Sequence, residues 1–326
     1  MLTRRRILAS SAALLPAAFI ARASAEVLRK PVQIIVGFPA GGGTDVIARI
    51  IADRLRGAYA ASVIVENKPG AAARISVEYV KSAEPDGSVM LFTPDFPITV
   101  YPHSFRSLSY DPLRDLIAVA PTTRSMLTYN IGPMVPESVK TLGDFISWCK
   151  ANPDNAIYAT TSAGGTPHFV GLMVANAAGV KMTPVHYRGG APALQDLIGG
   201  HVPASVNPIS ESLPFARSHA VRVLAVTGPE RSRFLPDVPT MRESGYDVVV
   251  DSWLGVFLPP KTPAEVVTAL SAALHDAVKS KEMVDALDRV GNEPTFETPA
   301  KFAEIVKADI DRWGPVVKQS GFVADE

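Results

Sequence analysis

The sequence predicts an α/β fold built from two similar lobes, and two glycine-rich turns are the observations that predict it. Residues 40–45 (AGGGTD) and 163–168 (AGGTPH) each follow a strand-like apolar run and precede a helix-like apolar pattern. Such a unit directs free backbone N–H groups and the positive helix end at one point, which suits a carboxylate or a phosphate. One unit in each half indicates two lobes closing on a small anion, although any long α/β chain shows some internal similarity.

Residues 1–25 have the pattern of a secretory signal peptide. The basic residues 4–6 precede an uncharged run, 7–20, that is too short to span a bilayer, and 23–25 (ASA) fits a cleavage site. Residues 3–8 (TRRRIL) also resemble a twin-arginine signal, so both the Sec and the twin-arginine export routes stay open.

Charge and cysteine content narrow the classes of function. The 326-residue chain has 32 basic and 32 acidic residues, and residues 1–25 contain four arginines and no acid. The rest is therefore slightly acidic, which gives no reason to expect binding to nucleic acid or to a membrane surface. The single cysteine, Cys149, cannot form an internal disulfide and is predicted to be buried in a helix.

Strands and helices alternate in the first half, which predicts right-handed βαβ units and a mostly parallel sheet. Residues 32–36 (VQIIV) form a β-branched run typical of a strand covered on both faces. In the next helix, we expect Thr44 to be the N-cap and Gly57 to end the helix. The remaining predictions are strands at 62–66, 89–92, 117–120 and 126–131, a short helix ending near 81, little regular helix over 94–116, and a passage between lobes at 121–124.

The second half repeats this alternation. Strands are predicted at 156–160, 204–206, 221–226 and 253–258, and a further strand is predicted to end at residue 187. Helices are predicted at 142–150, from the second glycine turn to 178, and at 191–198, 213–218 and 263–279. A further short helix is predicted to end near residue 287, and a last helix is predicted at 299–317 with an interruption near 314–315. The turn-rich basic segment 228–239 is expected to return the chain to the first lobe.

The glycine turns lack the residues that enzyme motifs need. No Lys-Ser/Thr follows Gly43 as in a P-loop, and no G-x-G-x-x-G follows the first strand. Position 160 is Thr, where a nucleophile elbow around Ser162 needs glycine. Without H-E-x-x-H or paired cysteines, the sequence predicts no catalytic residue, no metal site and no cofactor.

A third strand-to-helix junction lies at 187–194 (YRGGAPAL). Open α/β sheets bind ligands at the carboxyl ends of their strands, where such junctions lie. Arg188 could pair there with a carboxylate, or could be a solvated surface side chain. The neighbouring His168 and His186 are of a kind more often structural than ligand-binding.

An ordered set of short motifs runs through the chain after the signal. They are 38–42 (FPAGG) with Asp45 and 48–49 (AR), 65–71 (VENKPGA), 84–87 (EPDG), 108–115 (LSYDPLRD), 151–153 (ANP), 187–189 (YRG), 192–194 (PAL), 196–200 (DLIGG), 223–227 (VLAVT), 235–240 (LPDVPT) and 253–257 (WLGVF). No single motif is decisive, but the set in this order is specific. With these motifs the chain resembles the Bug (TctC-like) solute-binding receptors of tripartite tricarboxylate transporters.

The resemblance implies a type II periplasmic binding-protein fold, a Venus flytrap of two α/β lobes joined by two crossing strands. Lobe 1 would comprise 26–124 and 230–326, and lobe 2 would comprise 125–229. In this family, loops from both lobes hold the ligand carboxylate through backbone N–H groups, hydroxyls and bridging waters. The implied contacts are Phe38, Ala40, Gly41, Thr44 and Asp45 in lobe 1, and Thr160, Ser162, Thr166, His168, Tyr187, Arg188, Gly189 and Pro192 in lobe 2.

Three positions depart from the family pattern. Residues 72–74 (AAR) replace the usual Gly-Gly-Asn, 93–96 (TPDF) replace small polar residues, and Asn207 replaces a commonly acidic residue. Arg74 could add a cationic contact for a second carboxylate, and Phe96 could pack on an apolar ligand body. Both could equally be structural.

The implied function is that of a soluble, monomeric periplasmic receptor that captures a small organic carboxylate and delivers it to membrane permease subunits. A ligand sensor of the same fold, acting on a signalling membrane protein, is the first alternative. A hydrolase or transferase acting in the cleft is the second, although it needs a base beside a nucleophile. The sequence does not identify the acid.

Overall fold

The computed structural model describes residues 28–324, so the expected signal peptide lies outside the described residues. The strands are β1 Val32–Val36, β2 Val63–Asn67, β3 Val89–Pro94, β4 Ile117–Ile131, β5 Ile157–Thr160, β6 Thr183–His186, β7 Ala204–Pro208, β8 Arg222–Val226, β9 Asp251–Leu258 and β10 Glu293–Pro294. The α-helices are α1 Gly43–Leu55, α2 Arg74–Lys81, α3 Phe96–Thr99, α4 Tyr101–Ser104, α5 Pro112–Asp115, α6 Leu142–Ala151, α7 Thr166–Ala177, α8 Gly190–Ile198, α9 Ile209–Arg217, α10 Ala264–Lys279, α11 Lys281–Arg289 and α12 Pro299–Ser320. Short 3₁₀ turns cover Ala71–Ala73 and Pro153–Asn155.

Each lobe contains a parallel sheet, as the βαβ pattern predicted. In the first lobe β1 lies between β2 and β3, with Ile34 opposite Val65 on one side and Met90 on the other. In the second lobe β5 pairs in parallel with β6 and β7. Parallel strands end at a common edge, and this brings the strand-to-helix junctions of each lobe together.

Antiparallel strands join the two lobes, so the sheet is mixed and the prediction of a mostly parallel sheet is wrong at the junction. β4 is antiparallel to β9 from Ile117 to Met126, and its last residues pair with β7 and β8. The strand order is β2-β1-β3-β9-β4-β7-β5-β6. This is the two-lobed α/β architecture of the type II periplasmic binding proteins.

β4 is one strand of 15 residues instead of the two shorter strands predicted on either side of 121–124. Proline has no N–H for a ladder hydrogen bond. The register between β4 and β9 shifts between Pro121 and Thr123, and this irregularity lets the strand continue past the proline.

One buried hydrophobic cluster extends across both expected lobes, because it contains Tyr129 of the second lobe and Tyr101 of the first. In the second lobe Tyr129 packs in a cluster that also contains Met241, Val248 and Val250. Because this cluster extends into both expected lobes, it does not fix where the chain returns to the first lobe, and the return at 228–239 stays a prediction. The exact lobe boundaries stay a prediction.

Three local predictions differ from the structure. The N-cap of α1 is Gly42, not Thr44, whereas Gly57 follows the C-cap with φ +79°, as expected for a glycine that ends a helix. The segment 94–116 contains α3, α4 and α5, each with proline at its first or second position, where its missing N–H costs nothing. α12 continues through Pro315, because Trp313 and Val317 are buried on either side of it.

Candidate functional site

Loops from opposite lobes line one cavity between them. We call it the first pocket. The β1–α1 loop contributes Phe38 and Ala40, and Thr44 follows in the first turn of α1. The β6–α8 loop contributes Arg188 and Gly189, and Pro192 follows in the first turn of α8. The two glycine-containing junctions that the sequence singled out at 40–45 and 187–192 therefore face each other. Phe96 also lines this pocket, with its ring 5.9 Å from that of Phe38 and only 5 % of its surface exposed.

A second pocket adjoins the first and shares Phe38, Pro39, Thr161, Arg188 and Gly189 with it. The rest of its lining comes from both lobes and consists of Gly37, residues 69–73, Ser162, Ala163, His186 and Tyr187. The hydroxyl of Ser162 is buried and makes no hydrogen bond of good geometry with any described residue, although it lies close enough to the Tyr101 hydroxyl to act to lower the pKa of Tyr101. A buried hydroxyl without a partner is costly, so this group is suited to a ligand or a water molecule.

Asp45 stabilises the β1–α1 loop from the side of the loop that faces away from the pockets. Its carboxylate accepts hydrogen bonds from the Gly41 N–H at 2.9 Å, from Arg49 Nε at 3.0 Å and from Asn67 Nδ2 at 2.9 Å. Burial acts to raise the pKa of Asp45, but these hydrogen bonds outweigh burial and the pKa is lowered. Asp45 and Gly41 line neither pocket, and the Gly41 N–H is already occupied. In the structure Asp45 and Gly41 therefore contact each other and hold the β1–α1 loop in place, and neither faces the pockets.

The β6–α8 loop presents one aromatic and one cationic side chain. Tyr187 lines the second pocket, and its hydroxyl donates to Asp196 Oδ2 at 2.6 Å. Burial, together with Asp196, raises the pKa of Tyr187 to about 12, so the hydroxyl stays protonated. Arg188 is exposed, lines both pockets, and makes no side-chain hydrogen bond or ion pair within residues 28–324.

Three of the expected contacts lie behind the pocket walls. Thr160 Oγ1 donates to the Ser162 carbonyl at 3.1 Å, and Thr166 Oγ1 donates to Asp95 Oδ2 at 3.2 Å. His168 Nδ1 accepts from the Gly164 N–H at 3.2 Å. Burial, with a smaller contribution from His186, lowers the pKa of His168 to about 3, so its ring is neutral. These side chains shape the β5–α7 loop and do not line the cavity.

Arg74 also lies outside the pocket linings. Its guanidinium stacks over the Phe105 ring at 4.3 Å, and its Nε donates to the Ala71 carbonyl at 3.1 Å. The preceding residues 71–73 line the second pocket in an unusual backbone conformation, with φ values of +45°, +53° and +72°. Arg74 therefore fastens the end of a left-handed turn that forms part of the wall.

Glu211 is a pocket residue that sequence reasoning missed. It lies in the first turn of α9, lines the first pocket, and accepts a hydrogen bond from Asn207 Nδ2 at 3.1 Å. Burial raises the pKa of its carboxyl group, against the effect of hydrogen bonds from Asn207 and from the Gly43 N–H. The β7–α9 connection is a strand-to-helix junction like the other two, and the same edge-of-sheet rule would have identified it.

The described residues contain no group of three or more histidine, cysteine, aspartate or glutamate side chains arranged to hold a metal ion. Across residues 28–324, no helix combines the length and the apolar character needed to cross a membrane.

Comparisons with known proteins agree with this geometry. BugT of Bordetella pertussis is 31% identical over 294 residues, covering 90% of each chain. The Rhodopseudomonas palustris protein Rpa4515, solved with adipate, is 30% identical with a TM-score of 0.86, and the match covers 90% of this chain and 98% of that one. MatC of the same organism, solved with bound malate, is 28% identical with a TM-score of 0.82, covering 88% and 98% of the two chains. The family model of the tripartite tricarboxylate transporter family receptor (TctC) matches residues 47–322, and this chain belongs to that family of periplasmic solute-binding receptors.

Proposed function

We propose that this chain is a periplasmic receptor that captures a small organic carboxylate between its lobes and delivers it to a membrane permease as a monomer. The observation that carries the proposal is the shared first pocket, lined by Ala40 and Thr44 from one lobe and by Arg188 and Gly189 from the other. A ligand that contacts both lobes favours their closed arrangement over an open one. The malate and adipate bound to two relatives support a carboxylate as the ligand.

The polar groups of the cleft suit a carboxylate. The first turns of α1 and α8 present N–H groups that have no partner within their helices. Arg188 adds a charge that no residue of 28–324 neutralises, and Ser162 adds a hydroxyl donor. We assign ligand contact to these groups and a supporting role to Asp45, Thr160, Thr166 and His168.

The same geometry favours a receptor over a hydrolase. Ser162 Oγ makes no hydrogen bond of good geometry with any described residue, so no base activates it there. The Nδ1 atom of His168 is occupied by the Gly164 N–H. Nucleophilic catalysis needs the nucleophile and the base within hydrogen-bond reach, and these two groups are not paired.

Binding is tested by calorimetry with a panel of organic acids that includes malate and adipate. We expect at least one acid to bind the wild type without turnover, and Arg188→Ala to weaken its binding about tenfold, because a charge-assisted hydrogen bond to a carboxylate is lost. Arg217→Ala is the matched control, since Arg217 is an exposed arginine of α9 outside both pockets. A panel in which no acid binds would overturn the proposal.

A further inference from the structure

A carboxylate of the protein itself already occupies the meeting point of the two lobes. Glu211 extends from α9 of the second lobe towards Gly43, the first residue of α1 in the first lobe. The Gly43 N–H lies close enough to the Glu211 carboxylate to act to lower its pKa, and Asn207 Nδ2 donates a hydrogen bond to that carboxylate at 3.1 Å. The Glu211 side chain therefore lies against one group from each lobe.

Two glycines make room for this side chain. A Cβ atom at Gly43 would lie 3.0 Å from Glu211 Cγ, and a Cβ atom at Gly190 would overlap the carboxylate. Gly190 is the first residue of α8, so the carboxylate lies against the N-terminal ends of both α1 and α8. Glu211 is also in the first turn of its own helix, where a negative charge is stabilised by the helix dipole.

We propose that Glu211 is a built-in carboxylate latch, which joins the two lobes when the cleft is empty and which a ligand carboxylate must displace from the N-terminal ends of α1 and α8. The displacement half of this inference rests on the proposed function, whereas the latch half does not. Two carboxylates cannot share the same N–H donors without strong repulsion. Glu211 therefore opposes the binding of any ligand that places negative charge at this end of the first pocket.

The latch is tested on the ligand-free protein by Glu211→Gln, which keeps the size of the side chain and removes its charge. We expect amide hydrogen exchange of the peptide around Gly43 to become about tenfold faster, because the Gly43 N–H then lies beside a neutral amide and is no longer attracted by a carboxylate charge. Small-angle scattering should show a larger radius of gyration as the lobes separate. Glu265→Gln is the matched control, because Glu265 lies in the first turn of α10, exposed and away from the cleft.

Unchanged exchange and an unchanged radius of gyration in Glu211→Gln would overturn the latch. Thermal unfolding of the same sample shows whether the variant is folded, and Glu211→Ala supplies a second variant that removes both the charge and the contact with Gly43, because its side chain ends at Cβ. We expect Glu211→Ala to exchange at least as fast as Glu211→Gln. If Glu211→Ala exchanges like the wild type, contact with Gly43 is not what holds the lobes.

Displacement is tested by calorimetry with malate and adipate. We expect Glu211→Gln to bind at least one of these acids about five to ten times more tightly than the wild type, because the competing charge is gone. Equal or weaker binding by Glu211→Gln would overturn displacement. If neither acid nor any other of the panel binds either protein, the proposed function fails, while the exchange measurement still decides the latch.

Discussion

Asp95 is a buried acid at the junction of the lobes. Its carboxyl group accepts hydrogen bonds from Thr166 Oγ1 at 3.2 Å and from Ser252 Oγ at 3.1 Å. Burial, reinforced by the charge of Asp309, raises the pKa of Asp95 from 3.8 to about 7. Between these two pH values the folded protein holds a proton that the unfolded chain has released. The contribution of Asp95 to stability is therefore largest at low pH and is lost as the pH rises through about 7.

We expect Asp95→Asn to remove this dependence, because asparagine stays neutral across the range. The wild type should lose free energy of unfolding between about pH 4 and pH 8 relative to the variant, as measured by urea unfolding at several pH values. Asp154→Asn is the control, because Asp154 is exposed and should leave the wild-type pH profile in place. Parallel profiles for the wild type and Asp95→Asn would contradict a raised pKa at this residue.

The sequence predicted which residue types lie near the cleft better than it predicted which side chains face the cleft. The sequence placed Asp45 four residues before Arg49 on a helix, but this spacing does not say whether the carboxylate faces the cleft or the loop behind it. The structure shows Asp45 holding Arg49 and Asn67, and His168 holding the Gly164 N–H. Arg188 lines both pockets and is exposed, so the structure leaves its role in binding a carboxylate as a prediction.

At the scale of elements, the left-handed turn at 71–73 stores backbone strain. Non-glycine residues with positive φ cost about 1–2 kcal/mol each, and Ala72 has φ +53° and ψ +46°. Tyr101 holds the turn in place by donating its hydroxyl proton to the Ala72 carbonyl at 2.9 Å. The turn forms one wall of the second pocket, so its conformation sets the shape of that pocket.

Ala72→Gly should stabilise the protein by about 0.5–1 kcal/mol, because glycine adopts this conformation without strain. Chemical denaturation measures the change. Ala61→Gly is the matched control, since Ala61 is exposed and lies outside the positive-φ residues, so it should show a small loss of stability instead. A loss of stability in Ala72→Gly as large as that in the control would contradict the strain.

Element positions were largely predictable, because β-branched runs and glycine or proline punctuation mark them locally. β1 was predicted with its observed bounds, and α6, α8 and α10 were predicted to within one residue. The failures have tertiary causes. β4 passes Pro121 through a register shift against β9, and α12 passes Pro315 because Trp313 and Val317 are buried against the rest of the chain. A local sequence pattern shows neither the pairing of β4 with β9 nor the residues that bury Trp313 and Val317.

At the scale of the whole molecule, the antiparallel strands β4 and β9 connect the lobes, and α12 spans both. Phe302 of α12 packs with Trp253 in one core cluster, while Trp313 packs with Tyr129 and Phe169 in another. Loops that are about 150 residues apart in sequence, 38–44 and 188–192, come together only because of this connection. The pairing of the two loops followed from the βαβ pattern, whereas the Glu211 contact with Gly43 depends on how the lobes are oriented.

A crystal structure of the protein with the tightest-binding acid of the panel is the decisive measurement. We expect a ligand carboxylate to lie between residues 38–44 and 188–192, within hydrogen-bond distance of Arg188 or of N–H groups at the start of α1 or α8. A ligand bound on an outer face of either lobe, with the space between these loops left to solvent, would contradict it.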